Sequence, residues 1–168
     1  LLIGDHIAAT GDETAIHRHW PLVRAILDRY ANLCGDAGLP LKPRNDRDWA
    51  DNVYRAGAVA YDLGLWVGAL KVVARWGVAL DPEVAEDCAR RAGAAAPAIT
   101  AALWTGEGFA DYAPLDAPPE PHLALDSLTL LRYGAATEDQ AATVLASARR
   151  GRETRRSTAQ RGGDWGMM

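Results

Sequence analysis

Apolar side chains recur at every third or fourth position through most of this chain, which is the spacing of one face of an α-helix. No alternating strand pattern of comparable length competes with it. Helical segments joined by short connections pack as antiparallel hairpins. The pattern therefore predicts an all-α fold built from antiparallel helical hairpins. The predicted helices cover residues 1–10, 13–34, 59–76, 82–104, 122–133 and 137–150.

Residues with known preferences for helix ends mark several of these boundaries. Asp12 is a suitable N-cap for the second helix and Gly35 a suitable stop, whereas Pro21 predicts a kink or a restart between them. Asp81-Pro82-Glu83 combines an N-cap with proline at the first helical position, where the missing N–H would have no partner in any case. Thr137-Glu138-Asp139-Gln140 has the capping-box pattern.

Two of the predicted helices carry broad apolar faces, which we expect to form the core. The helix over 59–76 also contains Gly64 and Gly68, which would leave a flat strip for close packing. Tryptophans at helical spacing are expected to pack in the core rather than at a ligand. The expected core positions are Ile16, Trp20, Val23, Ile26, Leu27 and Tyr30 on one helix, and Leu63, Trp66, Val67, Leu70, Val73, Ala74 and Trp76 on the other.

Several segments have no helical period. Residues 35–55 are punctuated by glycine and proline and predict a long loop, and long loops in compact domains are commonly functional. Residues 106–112 predict a short extended excursion, and 114–121 a proline-rich loop. We expect one domain over 1–150, followed by an arginine- and glycine-rich tail with little stable structure.

Charge and cysteine content limit the kinds of molecule that this chain is expected to bind. A formal net charge of −4 leaves no basic excess to attract nucleic acid or an anionic membrane. The longest apolar runs fall well short of the ~20 residues that span a bilayer. Cys34 and Cys88 belong to no CxxC pair, so we expect free, buried thiols and no metal site. The chain begins at Leu1 without a signal-peptide pattern, which leads us to expect a piece of a longer protein.

Residues 46–55 concentrate three carboxylates, two arginines and two large aromatic side chains. Sugar hydrolysis requires one carboxyl group that donates a proton and a second that works on the opposite side of the bond, while aromatic rings carry the apolar faces of the pyranose. Spacing alone favours a plainer interpretation, in which Asp48 and Asp51 cap a short turn and pair with Arg47 and Arg55.

Several segments also follow one another in the order of motifs from a single enzyme family. They are Asp48-Trp49-Ala50-Asp51, then Arg55, Gly57, Val59 and Tyr61, then Leu65-Trp66 with Ala69-Leu70, then Trp104 with 108–112, then 122–127 with 130–134, and Glu153-Thr154-Arg155. This order resembles the six-hairpin glycosidases, whose domain is an (α/α)6 barrel. The nearest group is the amylo-α-1,6-glucosidase and glycogen-debranching-like one. The resemblance covers most of residues 1–155.

The resemblance implies a glycoside hydrolase that acts on α-linked glucan or a related oligosaccharide without a cofactor. Asp51 corresponds to the proton donor, and Asp48, Trp49, Arg55 and Tyr61 would line the sugar subsite. The negative charge of Asp48 would favour the protonated form of Asp51. An (α/α)6 barrel needs about twice the helices predicted here, so the resemblance implies about half a toroid. In the family the second carboxylate comes from a later hairpin, so we expect the isolated chain to be inactive.

Other assignments stay open at the level of sequence. Trp49 and Tyr54 suit packing beneath the loop as well as stacking on a sugar. Glu153 is a weaker candidate for the second carboxylate, because it lies in the arginine-rich tail. His122 and Asp126 are four residues apart on one predicted helix, a geometry that suits a hydrogen-bonded pair better than a two-ligand metal site.

Two further classes of protein compete with the hydrolase. A helical-hairpin binding or scaffold domain would use the same surface for a protein partner. A polysaccharide lyase or epimerase would use histidine and tyrosine as acid and base, and ranks last. In a hydrolase fragment or in a scaffold domain, an incomplete array of hairpins exposes apolar faces. We therefore expect a homodimer or aggregation.

Overall fold

The computed structural model describes residues 1–43, 55–119 and 125–154. This part of the chain is mostly helical with one small sheet, which confirms the all-α prediction. Within these ranges, no helix has both the length and the apolar character needed to cross a membrane. The elements are α1 (Leu2–Thr10), α2 (Thr14–Ala31), β1 (Ala58–Val59), α3 (Ala60–Trp76), α4 (Pro82–Leu103), β2 (Tyr112–Ala113), a 3-10 turn (Leu125–Ser127), α5 (Leu128–Arg132) and α6 (Glu138–Thr154).

Short connections fold the first four helices into two hairpins, α1 with α2 and α3 with α4. Gly11 ends α1 in the left-handed conformation, with φ at 73°, and its N–H donates to the Ile7 carbonyl. Asp81 opens α4 as predicted, since its carboxylate accepts from the Val84 N–H at 3.2 Å. The capping box of α6 is also present, with reciprocal hydrogen bonds between Thr137 and Gln140.

Helix α2 differs from its prediction at its end and at its proline. It ends at Ala31 rather than near Cys34, because the Cys34 backbone pairs with Pro40 in an isolated antiparallel bridge and cannot continue the helix. It also runs through Pro21 without a restart. The helical geometry therefore holds across a residue that supplies no N–H to the ladder.

The two C-terminal helices differ in length from their predictions. Helix α6 continues to Thr154 rather than ending near Arg150. Gly151 costs a helix only about 1 kcal/mol relative to alanine, and arginines and a glutamate around it favour the helix. The predicted helix over 122–133 is represented, among the described residues, by the 3-10 turn and the five-residue α5.

Helix α3 is the centre of the core, and it packs against both α4 and α5. Its predicted apolar face is confirmed, since Leu63, Trp66, Val67, Leu70 and Val73 are all buried. The flat strip is confirmed as well. A Cβ atom at Gly64 would lie 2.3 Å from Thr129 Oγ1, and one at Gly68 would lie 2.6 Å from the Tyr133 ring, so α5 and its end approach at both glycines.

The prediction for α2 was wrong at two positions. Ile26 is 46% exposed and Tyr30 is 37% exposed, whereas Ile16 and Leu27 are buried. Helix α2 packs through the side that carries Ile16 and Leu27, where it meets α1 and the α3–α4 hairpin. A helical period identifies apolar positions, but the number of neighbouring elements decides how many of those positions are covered.

The two-stranded sheet joins the start of α3 to the segment after α4. Strands β1 and β2 are antiparallel, with Ala58 opposite Ala113 and Val59 opposite Tyr112. Gly57 precedes β1 with φ at 79°, and a Cβ atom there would lie 2.2 Å from the Ala113 carbonyl oxygen. Only glycine satisfies both conditions, so the close approach of the two segments depends on it.

Candidate functional site

A cleft opens between the end of α2 and the start of α3, and the loop 40–43 forms its third wall. Its volume is about 270 Å³, just below the roughly 300–1,000 Å³ of typical small-molecule sites. Both aromatic and charged side chains line it. The lining residues are Arg29, Tyr30, Leu33, Pro40, Leu41, Lys42, Pro43, Tyr61 and Asp62.

Backbone hydrogen bonds fix the loop wall of the cleft. The N–H of Leu41 donates to the Leu33 carbonyl at 2.9 Å, which holds the loop against the end of α2. Lys42 and Gly57 exchange two backbone hydrogen bonds, of 2.8 and 2.9 Å. Backbone hydrogen bonds therefore join Lys42, which precedes residues 46–51, to Gly57, which follows them.

The two tyrosines approach the cleft from different helices. Tyr30 lies near the end of α2 and Tyr61 is the second residue of α3. Tyr61 is half-buried, and Tyr30 is 37% exposed. The Tyr30 ring stacks on the buried indole of Trp66. The cleft thus combines aromatic rings with the Arg29, Lys42 and Asp62 side chains, which can bind hydroxyl groups.

A buried ion-pair cluster lies at the sheet. Arg55 Nη1 donates to Asp111 Oδ1 at 2.8 Å, and the same nitrogen donates to Asp126 Oδ2. Arg55 is 2% exposed, Asp111 3% and Asp126 9%. Arg55 comes shortly before β1, Asp111 directly before β2, and Asp126 from the 3-10 turn. The cluster therefore joins three segments that are distant in sequence. Burial of these charges is tolerable only because they are paired.

The predicted site residues fall into two groups. Asp48, Trp49 and Asp51 lie outside the described residues, so their assignment stays a prediction. Tyr61 lines the cleft, and its part in a sugar subsite stays a prediction. The Arg55 side chain is 1% exposed within its ion-pair cluster, and any sugar contact by this residue also stays a prediction.

Other candidates are placed differently from the sequence expectations. Asp111, which lies in the predicted excursion over 106–112, binds Arg55. Asp126 was expected to pair with His122, which lies outside the described residues, and it too binds Arg55. Cys34 and Cys88 are free thiols, as predicted, but only Cys88 is buried, and the prediction of burial was wrong for Cys34. Across the described ranges, no three histidine, cysteine or acidic side chains come together as metal ligands.

Sequence reasoning missed four aromatic or charged residues of the cleft, which are Arg29, Tyr30, Lys42 and Asp62. Tyr30 was assigned to the core because it follows the helical period of α2. The available signal was its position at the end of the helix, next to an arginine and opposite a loop held by two prolines. Helix ends that face such loops are frequent binding positions.

Comparison with known proteins adds no relative. A scan against protein-family models finds no match for this chain, and a search of curated proteins finds no significant similarity. The glycosidase resemblance therefore rests on the motifs in the sequence.

Proposed function

We propose that this chain is part of a glycoside hydrolase that acts on α-linked glucan or a related oligosaccharide. The observation that carries the proposal is the cleft, where Tyr30 and Tyr61 lie beside charged side chains. Sugar sites use this combination, because aromatic rings bind the apolar ring faces while charged groups bind the hydroxyls. Pro43 lies in the wall of the cleft and is only three residues from Asp46, the start of the acidic segment.

The proposed chemistry is carboxylate general acid/base catalysis. Asp51 is the proton donor, and Asp48, Trp49, Arg55 and Tyr61 belong to the sugar subsite. The support for these roles is the order of the family motifs, together with the position of Tyr61 in the cleft. In this proposal the hairpins α1–α2 and α3–α4 form part of an (α/α)6 toroid, and the second carboxylate comes from a hairpin outside these 168 residues.

Two measurements on the 168-residue chain test this proposal. We expect maltooligosaccharides to raise its Tm, since a ligand that binds only the folded state stabilises it. We also expect little or no hydrolysis, because in this proposal the second carboxylate comes from outside these 168 residues. The absence of any sugar-induced shift in Tm would count against the hydrolase. Clear turnover that is abolished by Asp51→Asn would support a sugar-cleaving Asp51 and overturn the idea of an incomplete site.

A second candidate function is a helical-hairpin binding or scaffold domain, and the outer face of α2 favours it. Leu22 is 57% exposed and Ile26 is 46% exposed, and they lie one helical turn apart. This function predicts no response to oligosaccharides and a molecular mass in solution that grows with concentration. Sedimentation of the double variant Leu22→Glu, Ile26→Glu checks it, since two charges on this face should restore a monomer.

A further inference from the structure

Tyr30 and Trp66 form a two-layer aromatic stack at the edge of the cleft. Their ring centroids are 5.8 Å apart and their planes are inclined by 17°. Trp66 is 4% exposed and Tyr30 is 37% exposed. The indole is therefore the buried layer of an offset stack, and the phenol ring is the outer layer.

The buried layer is held by the core. Trp66 lies on α3 in a cluster that includes Leu27, Leu70, Cys88 and Ala92 from three helices. A side chain packed on so many sides keeps one rotamer. The stack on this fixed indole restricts the Tyr30 ring before any ligand arrives, and a preorganised ring loses less conformational entropy on binding.

We propose that the ring of Tyr30, which lines the cleft and is 37% exposed, is a stacking platform for a pyranose ring, and that the cleft is a sugar subsite. This inference rests on the proposed function and adds a residue that the family motifs do not include. A pyranose presents C–H groups on one face and hydroxyls around its rim. The Tyr30 face suits the first, and Arg29 and Asp62 in the same cleft suit the second.

The test measures maltotriose binding to the full 168-residue chain by isothermal titration calorimetry. Tyr30→Phe keeps the ring and should change Kd by less than roughly twofold. Tyr30→Ala removes the ring and should weaken binding roughly tenfold, the effect of losing about 1.4 kcal/mol of stacking. Tyr30→Leu keeps an apolar cover over Trp66 without a flat face, so it should weaken binding as alanine does.

Ile26→Ala is the matched control, because Ile26 is an exposed apolar residue on the same helix that does not line the cleft. We expect it to bind as the unmodified chain does. Binding that survives in both Tyr30→Ala and Tyr30→Leu overturns the platform but leaves the hydrolase proposal standing. A lack of maltotriose binding by the unmodified chain counts against the proposed function itself, and the platform is then rejected with it.

Discussion

Arg55 and Asp111 form an ion pair that is almost wholly withdrawn from water. Arg55 Nη1 lies 2.8 Å from Asp111 Oδ1, and the two side chains are 1% and 4% exposed. Asp126 accepts a hydrogen bond from the same nitrogen, and its side chain is 11% exposed. Because the three residues come from separate segments, the cluster holds β1, β2 and the 3-10 turn before α5 in one arrangement.

Removing one carboxylate from this cluster should destabilise the fold severely. Loss of one partner from a buried ion pair costs roughly 3–5 kcal/mol, because the remaining charge is left without compensation. With Asp126 still in place, we expect Asp111→Ala to lower the free energy of unfolding by roughly 3 kcal/mol in a urea titration. Asp87→Ala is the control, since Asp87 pairs with Arg90 and Arg91 at the surface. Exposed pairs are worth about 0–1 kcal/mol. Equal losses in the two variants would refute the structural role of the cluster.

Two glycine substitutions, one in α3 and a control in α4, test the contact between α3 and α5. A Cβ atom at Gly64 would lie 2.7 Å from the backbone carbon of Thr129, so Gly64→Ala should force the helices apart and cost roughly 1–3 kcal/mol. A Cβ atom at Gly93, in α4, meets nothing within 4 Å. Gly93→Ala should therefore raise stability by roughly 0.5–1 kcal/mol through helix propensity. Thermal unfolding checks the opposite signs, and a stable Gly64→Ala variant would show that α5 is not packed as described.

Asp81 has two roles at the start of α4, and substitutions can separate them. Its carboxylate accepts from the Val84 N–H and pairs with Arg24 at 2.5 Å. We expect Asp81→Ala to cost roughly 1–2 kcal/mol, because both interactions are lost. Asp81→Ser keeps a capping oxygen and should cost less than roughly 1 kcal/mol. If serine proves as destabilising as alanine in chemical denaturation, then the ion pair rather than the cap is the main contribution.

Cys88 should make stability fall in alkaline solution. Burial, and secondarily the charge of Asp87, raises the pKa of the Cys88 thiol from its ordinary value of 9.0 to about 11. The unfolded chain therefore loses this proton at lower pH than the folded chain. The contribution of the protonated Cys88 thiol to the free energy of unfolding is complete below pH 9. It is lost as the pH rises from 9 towards 11, and the loss is roughly 2–3 kcal/mol at most.

Urea titrations across this pH interval measure the effect, and Cys88→Ala should reduce the slope. Cys34→Ala serves as the comparison, because Cys34 is only half-buried and its pKa is raised less by burial. If Cys88→Ala and the unmodified chain lose stability in parallel between pH 9 and 11, the thiol is not the responsible group.

Local chemistry determined the helices from sequence alone. The apolar period of α3, the cap of α4 at Asp81, the stop at Gly11 and the capping box of α6 are all present, because each depends on residues within a few positions of one another. The glycine strip of α3 also predicted close packing, since an absent side chain leaves space whatever the partner is. The proton-donor role of Asp51 stays a prediction from motif order.

Tertiary structure decided which of those residues meet. The apolar period of α2 includes both Ile26 and Leu27. Of these two only Leu27 is buried, because α3 and α4 cover just one side of the helix. Among the described residues, Arg55 binds two carboxylates that lie 56 and 71 positions away, which no local pattern indicates. Tyr30 lines the cleft and stacks on Trp66, and both contacts join residues from separate helices. A periodic pattern assigns a residue to a face, and only the packing of the whole chain determines what that face contacts.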